Sequence, residues 1–159
     1  AQLRGPNSKG YSDIIDFYAF AMTKINSEEI KYIAQNTAPA DKYAGADKET
    51  HRKEIKKQWM EKYPHTKILK VVFTSSSWEK DVQSIKTYNG NTATTKNYDE
   101  SFLTAAVIIQ DPENAELARI YEGDLRIDNL NKADGYFSSC GLYGLDVDNY
   151  TAVLIKNVK

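Results

Sequence analysis

Ser101-Phe102-Leu103-Thr104-Ala105-Ala106-Val107-Ile108-Ile109-Gln110-Asp111 is the most apolar run in the chain, and its reading decides the fold. Apolar or small side chains occupy both parities. Phe102, Ala106 and Ile108 fall on one face of a strand, and Leu103, Ala105, Val107 and Ile109 on the other. A strand covered on both sides has this signature. A buried helical segment shares it, but β-branched residues cluster at 107–109, the run is short, and Asp111-Pro112 ends it abruptly. The run is therefore expected as a central strand.

Working outward, Glu116–Asp128 alternates cleanly. Leu117, Tyr121, Leu125 and Ile127 share one face, while Glu116, Glu122, Asp124, Arg126 and Asp128 share the other. Upstream, Lys67–Ser75 places Leu69, Val71 and Phe73 on one face and Ile68, Lys70 and Val72 on the opposite one. Trp78–Tyr88 alternates more weakly, through Trp78, Val82 and Ile85. Asn89-Gly90-Asn91 is a hairpin turn signal, and the threonine-rich Thr92–Tyr98 reads as a strand or a long hairpin arm. Tyr136–Tyr143 fits a bent strand. Thr151–Val158 fits a closing strand, with Val153 and Ile155 against Leu154 and Val158.

Helical spacing dominates the N-terminal third. Ile14, Phe17, Tyr18, Ala21, Met22 and Ile25 form a wide apolar stripe over 12–25. Asn26-Ser27-Glu28-Glu29 is a capping-box variant ahead of a short helix carrying Ile30, Ile33 and Ala34. Residues 36–46 read as a loop. Asp47–Tyr63 is a third helix, stopped by Pro64, with a narrow stripe of Ile55, Trp59 and Tyr63 flanked by Met60.

Helices precede strands, and no helix-length link separates the later strands, so the sheet should be mostly antiparallel. The expected class is α+β: two or three N-terminal helices packed on a curved sheet of five or six strands. Residues 1–10 are a flexible lead-in and 11–159 a single domain. The element order resembles the NTF2-like and cystatin-like cones as architecture, an analogy carried by no motif residue.

The chain has 159 residues and a net charge of −1, which gives no global attraction to nucleic acid or membrane. Its single cysteine, Cys140, excludes an internal disulfide and a multi-cysteine zinc site, and reads as a small buried residue. No apolar run reaches the length of a membrane span. The start at Ala1-Gln2, with a polar lead, fits a mature secreted or periplasmic chain.

Sharper chemistry is sparse. His51 and His65 sit near opposite ends of the third helix, too far apart to share a metal, and read as surface residues. The acidic turn at 128–135 lacks the ligand spacing of a calcium loop, and Asp146-Val147-Asp148-Asn149 is a similar short acidic turn for which ordinary turn chemistry is favoured over calcium. Neither a nucleophile elbow nor a phosphate loop is present. No cofactor and no metal site are expected. Asn149-Tyr150-Thr151 is an acceptor sequon. Charge is segregated: residues 47–70 hold eight lysines and arginines against four acids, and 97–148 hold eleven acids. A solvated basic helix offsetting an acidic sheet explains this without nucleic acid.

Two clusters remain. Glu122, Asp124 and Asp128 recur on one strand face about 7 Å apart per two residues, with Arg126 between them. Tyr18, Trp59, Tyr63, Trp78, Tyr121 and Tyr136 supply aromatic surface suited to a ligand or partner. The expected function is a non-enzymatic, exported binding or interaction domain. Its groove between helices and sheet would be lined by those aromatics with Asp124 and Arg126, and would take a small molecule or a protein. Two alternatives stay open: a small cone-fold enzyme with a sheet carboxylate as general base, and an inhibitor or immunity-type protein presenting an acidic sheet face.

Overall fold

The apolar run is the C-terminal half of a 19-residue strand, β3 (Thr92–Gln110). A computed structural model describes residues 17, 19, 20, 27–131, 135–139 and 150–158. The expected lead-in at 1–10, most of the first helix and residues 140–149 lie outside the described residues. Within them, α1 (27–33) and α2 (Lys48–Lys62) precede a six-stranded sheet. Its other strands are β1 (Ile68–Phe73), β2 (Glu79–Asn89), β4 (Leu117–Asp128), β5 (Tyr136–Ser139) and β6 (Thr151–Leu154). Every pairing is antiparallel, as the short connections require. The α+β class with an antiparallel sheet follows.

Two long strands form the spine. β3 pairs β4 from Glu100↔Asp128 to Gln110↔Ala118. Each is flanked by two shorter strands sharing its outer edge. β1 covers Ala105–Ile109 of β3 and β2 covers Thr92–Phe102. β6 covers Leu117–Ile120 of β4 and β5 covers Gly123–Arg126. The threonine-rich arm and the apolar run are thus one continuous strand, not two.

Both faces of residues 103–109 are buried, as their two-sided apolarity demands. One face joins Leu103, Ala105, Val107 and Ile109 to Val71, Phe73, Tyr121 and Leu125, capped by Ile55 and Trp59 of α2. Gln58 pins that helix to the sheet edge, donating to the Gly135 carbonyl at 2.7 Å and accepting from the Phe137 N–H at 2.7 Å. The other face joins Ala106 and Ile108 to Val72, Ala118, Ile120 and Val153. Its partly buried neighbours are Ala38 from the loop before α2, Leu69 of β1, and Ile155 and Val158 from the segment after β6.

Three local expectations are corrected. The register slips between Ile68↔Ile109 and Lys70↔Ile108, so Leu69 is an extra residue in a β-bulge. The bulge reverses parity: Ile68 packs with Val71 and Phe73, and Leu69 packs on the opposite face with Val72. The closing strand ends at Leu154, and Ile155–Asn157 turns into a 3-10 helix, which lets Ile155 and Val158 fold back onto the second cluster with Val153. Of the expected apolar stripes, α1 buries Ile33 but not Ile30, and Phe17 is exposed and joins neither cluster.

The bulge generates a test. Deleting Leu69 restores an uninterrupted ladder and leaves Ile68, Val71 and Phe73 on their face. The expected cost is the partial burial of one leucine, about 1–2 kcal/mol by urea unfolding. Deleting Val72, inside the regular ladder, reverses the parity of the strand N-terminal to it and should prevent cooperative folding.

Candidate functional site

The residues expected in one groove fall on two opposite faces of the sheet. Trp59, Tyr63, Trp78 and Tyr121 lie on the α2 side. Asp124 and Arg126 pair with Thr104 and Phe102, which have the parity of the second face, and Tyr136 pairs with Arg126. Tyr18 lies outside the described residues. The single aromatic and carboxylate groove does not form, because alternation in β4 sends Tyr121 and Leu125 one way and Asp124 and Arg126 the other.

On the α2 side the rings make a packed row. Trp59 meets Tyr63 at 5.1 Å and Tyr121 at 5.2 Å between centroids, and Tyr121 meets Tyr150 at 5.8 Å. The Trp59 indole N–H donates to Thr66 Oγ1 at 2.9 Å. Trp59 and Tyr121 are buried, so these rings fill the space between helix and sheet. The row ends on charge: the Arg119 guanidinium lies 4.5 Å from the Tyr150 ring centroid and its Nε donates to Asp111 Oδ2 at 2.6 Å. Asp111 Oδ1 accepts the N–H groups of Glu113 and Asn114, closing the turn after β3.

A second polar chain was not apparent as a site in the sequence. Trp78 Nε1 donates to the Tyr43 hydroxyl at 3.1 Å, which donates to Asp47 Oδ1 at 2.7 Å. Asp47 Oδ2 lies 2.9 Å from His51 Nε2. His51 is therefore half-buried against Trp78 rather than a free surface histidine. The Asp47 hydrogen bond holds the Tyr43 phenol above its ordinary pKa, with burial adding to it. Beside it, Asp41 accepts the Phe73 N–H and pairs with Arg52 and Lys48, so residues 41–52 clamp the edge of β1. The composition of 36–46 marked a loop, and the separation of these partners in sequence hid the network.

On the opposite face Arg126 bridges two acids. Its guanidinium donates to Glu100 Oε2 at 2.9 Å and Asp124 Oδ2 at 3.0 Å while lying 5.2 Å from the Phe102 centroid. The Tyr136 hydroxyl donates to Glu100 Oε1 at 3.2 Å. Asp128 turns into its own loop, accepting from Leu130 N, Asn131 N and Asn131 Nδ2. Of the three acids read as a stripe, Glu122 is the one left exposed. Among the described residues, no group of three His, Cys, Asp or Glu side chains is arranged to hold a metal. An open cleft of 570 Å³ lies between α1 and β6, lined by Glu29, Tyr32, Ile33, Asn36, Tyr150 and Thr151. No described helix is long and apolar enough to cross a membrane.

The β2–β3 hairpin is exposed along most of its length. Its turn is Gly90-Asn91, with Gly90 at φ 60, which a residue without Cβ adopts freely. β4 reaches only to Asp128, opposite Glu100, so the ribbon runs on past the sheet with neither face covered. Val82 (69 % exposed) and Tyr88 (71 %) stand on one face, and Ile85 (46 %) on the other. Asn129 fixes the base: its N–H donates to the Asp99 carbonyl at 2.8 Å and its amide to Asp99 Oδ1 at 2.7 Å.

Protein-family models, curated proteins and solved structures were compared with the chain, and none matches.

The Asp111–Arg119 pair sets an expected acid limit. Burial alone would raise the Asp111 pKa, but Arg119 and the two turn amides outweigh it and hold the carboxyl below its ordinary range. A folded-state pKa below the unfolded value of about 3.9 contributes stability that is complete above that value. The contribution is lost as pH falls through the folded pKa. Asp111→Asn should therefore cost about 2–4 kcal/mol at pH 7, with the gap to the wild type closing below about pH 4. Urea titrations of both proteins from pH 7 to pH 2.5 check it.

Proposed function

We propose that this chain is a non-enzymatic interaction domain whose contact surface is the β2–β3 ribbon. The supporting observation is the exposure of Val82, Ile85 and Tyr88 on a ribbon that leaves the core with neither face covered. Tyrosine at a contact surface carries large area with little entropy cost, and Tyr88 shares its exposed face with Val82. The expected aromatic groove is replaced in this reading, because Trp59 and Tyr121 are consumed by the core. The network of Glu100, Asp124, Arg126 and Tyr136 then holds the ribbon's base rather than serving a ligand.

Site-specific photocrosslinking in the native cell tests the proposal. A benzophenone side chain replacing Tyr88 should yield a discrete adduct, and the same probe at the exposed turn residue Glu113 should not. Equal, diffuse labelling from both positions would refute a contact role for the ribbon.

A further inference from the structure

The ribbon also carries a backbone edge. Residues 92–98 of β3 have β2 on one side and no described strand on the other. That edge is about 23 Å long at ~3.3 Å per residue. The Asp99 carbonyl is turned to the β4 side, where it accepts from Asn129. Backbone groups alternate in direction along a strand, so Ala93, Thr95 and Asn97 also turn their N–H and C=O outward, while Thr92, Thr94, Lys96 and Tyr98 turn theirs to β2. Long edges are normally blunted by lysine, proline, a bulge or an inward charge, and of these, residues 92–98 carry Lys96 alone. Here the sequence is Thr-Ala-Thr-Thr-Lys-Asn-Tyr, the β2–β3 ladder runs without a slip, and the Lys96 ammonium lies over the Tyr98 ring at 4.6 Å.

We propose that a second copy of this chain occupies this edge, pairing β3 with β3 antiparallel about a two-fold axis at Thr95. The inference rests on the ribbon being the contact surface and names its partner. The outward groups fix the register. With the axis at Thr95, Ala93 faces the partner's Asn97, Thr95 faces its own copy, and Asn97 faces the partner's Ala93, giving about six N–H···O bonds. Moving the axis by one residue leaves an outward-facing residue opposite the partner's turn or opposite Asp99, whose carbonyl is already engaged.

The side chains agree with this register. Lys96 falls opposite the partner's Thr94 and Tyr98 opposite the partner's Thr92, so like charges are not directly opposed. Lys86 pairs with Thr95 across the ribbon and Lys96 is the next residue along β3, so both lie beside the axis, where the two Lys96 residues are diagonal neighbours. A two-stranded hairpin is marginal alone in water, and pairing supplies each with a third strand. The interface is self-complementary and closes at a dimer.

Sedimentation of the full chain over a concentration series should show a dimer. Thr95→Pro removes an outward donor while leaving the β2 ladder intact. It should weaken association about 10–100-fold, since a hydrogen bond is lost on each side of the axis, with an unchanged far-ultraviolet circular dichroism spectrum. In a Cys140→Ser background, Thr95→Cys should give a covalent dimer on mild oxidation, because paired Cα atoms lie about 5.5 Å apart there, and Thr94→Cys should not. A monomer at every concentration, or a dimer indifferent to Thr95→Pro and without the Thr95→Cys crosslink, overturns the proposal. If the chain is monomeric while a probe at Tyr88 captures a different protein, this pairing fails and the interaction reading stands.

Discussion

Burial of residues 103–109 of β3 on both faces is the constraint from which the other placements follow. A strand with no solvated face must find backbone partners on both edges and apolar cover above and below. β1 and β4 supply the edges. Ile55 and Trp59 of α2 supply one cover, and on the other side Ala38, Ile155 and Val158 pack beside the strands' own side chains. Such a core has little room for polar chemistry. The described charged networks accordingly lie at its margins, at Asp41 and Arg52, at Asp111 and Arg119, and at Glu100, Asp124 and Arg126.

These marginal networks do mechanical work on the elements they join. Asp41, Arg52, Tyr43 and Asp47 tie the loop before α2 to the edge of β1 and to Trp78 at the start of β2. Arg126 and Asn129 tie the end of β4 to β3 where the ribbon departs. Half-buried ion pairs add modest stability of their own. Their stronger effect is on geometry, since each fixes the angle at which a less supported segment leaves the core.

The central strand was legible because a short, β-branched run that is apolar at both parities suits a strand covered above and below and little else. β4 was legible because Leu117–Ile127 alternates against charge. Helix α2 was legible from Ile55, Trp59 and the stop at Pro64. What escaped was tertiary in origin. The bulge at Leu69 has no local signature, since its neighbours are apolar at both parities and either phase satisfies the pattern. The candidate site residues, aromatics and carboxylates grouped by type, divide between two faces. Tyr121 and Asp124 differ in parity, so the same alternation that revealed β4 also separated them. The ribbon was legible as two arms, Trp78–Tyr88 and Thr92–Tyr98, about the turn at Asn89-Gly90-Asn91, but its projection from the sheet was not. Its lack of cover depends on β4 ending opposite Glu100, which no residue of the ribbon encodes.

The clamp at Asn129 separates two regimes of sequence change along one strand. On the core side of Asp99, each residue of β3 has a required face, and a single insertion would misplace a whole layer. On the ribbon side neither face is buried, so added or lost residue pairs leave the core layers in place. The hairpin can therefore lengthen, shorten or change composition while the fold stays as it is. Reach and partner preference can drift among descendants of this chain at little cost to the fold, and the same freedom gives an engineer a natural point for grafting a different binding arm.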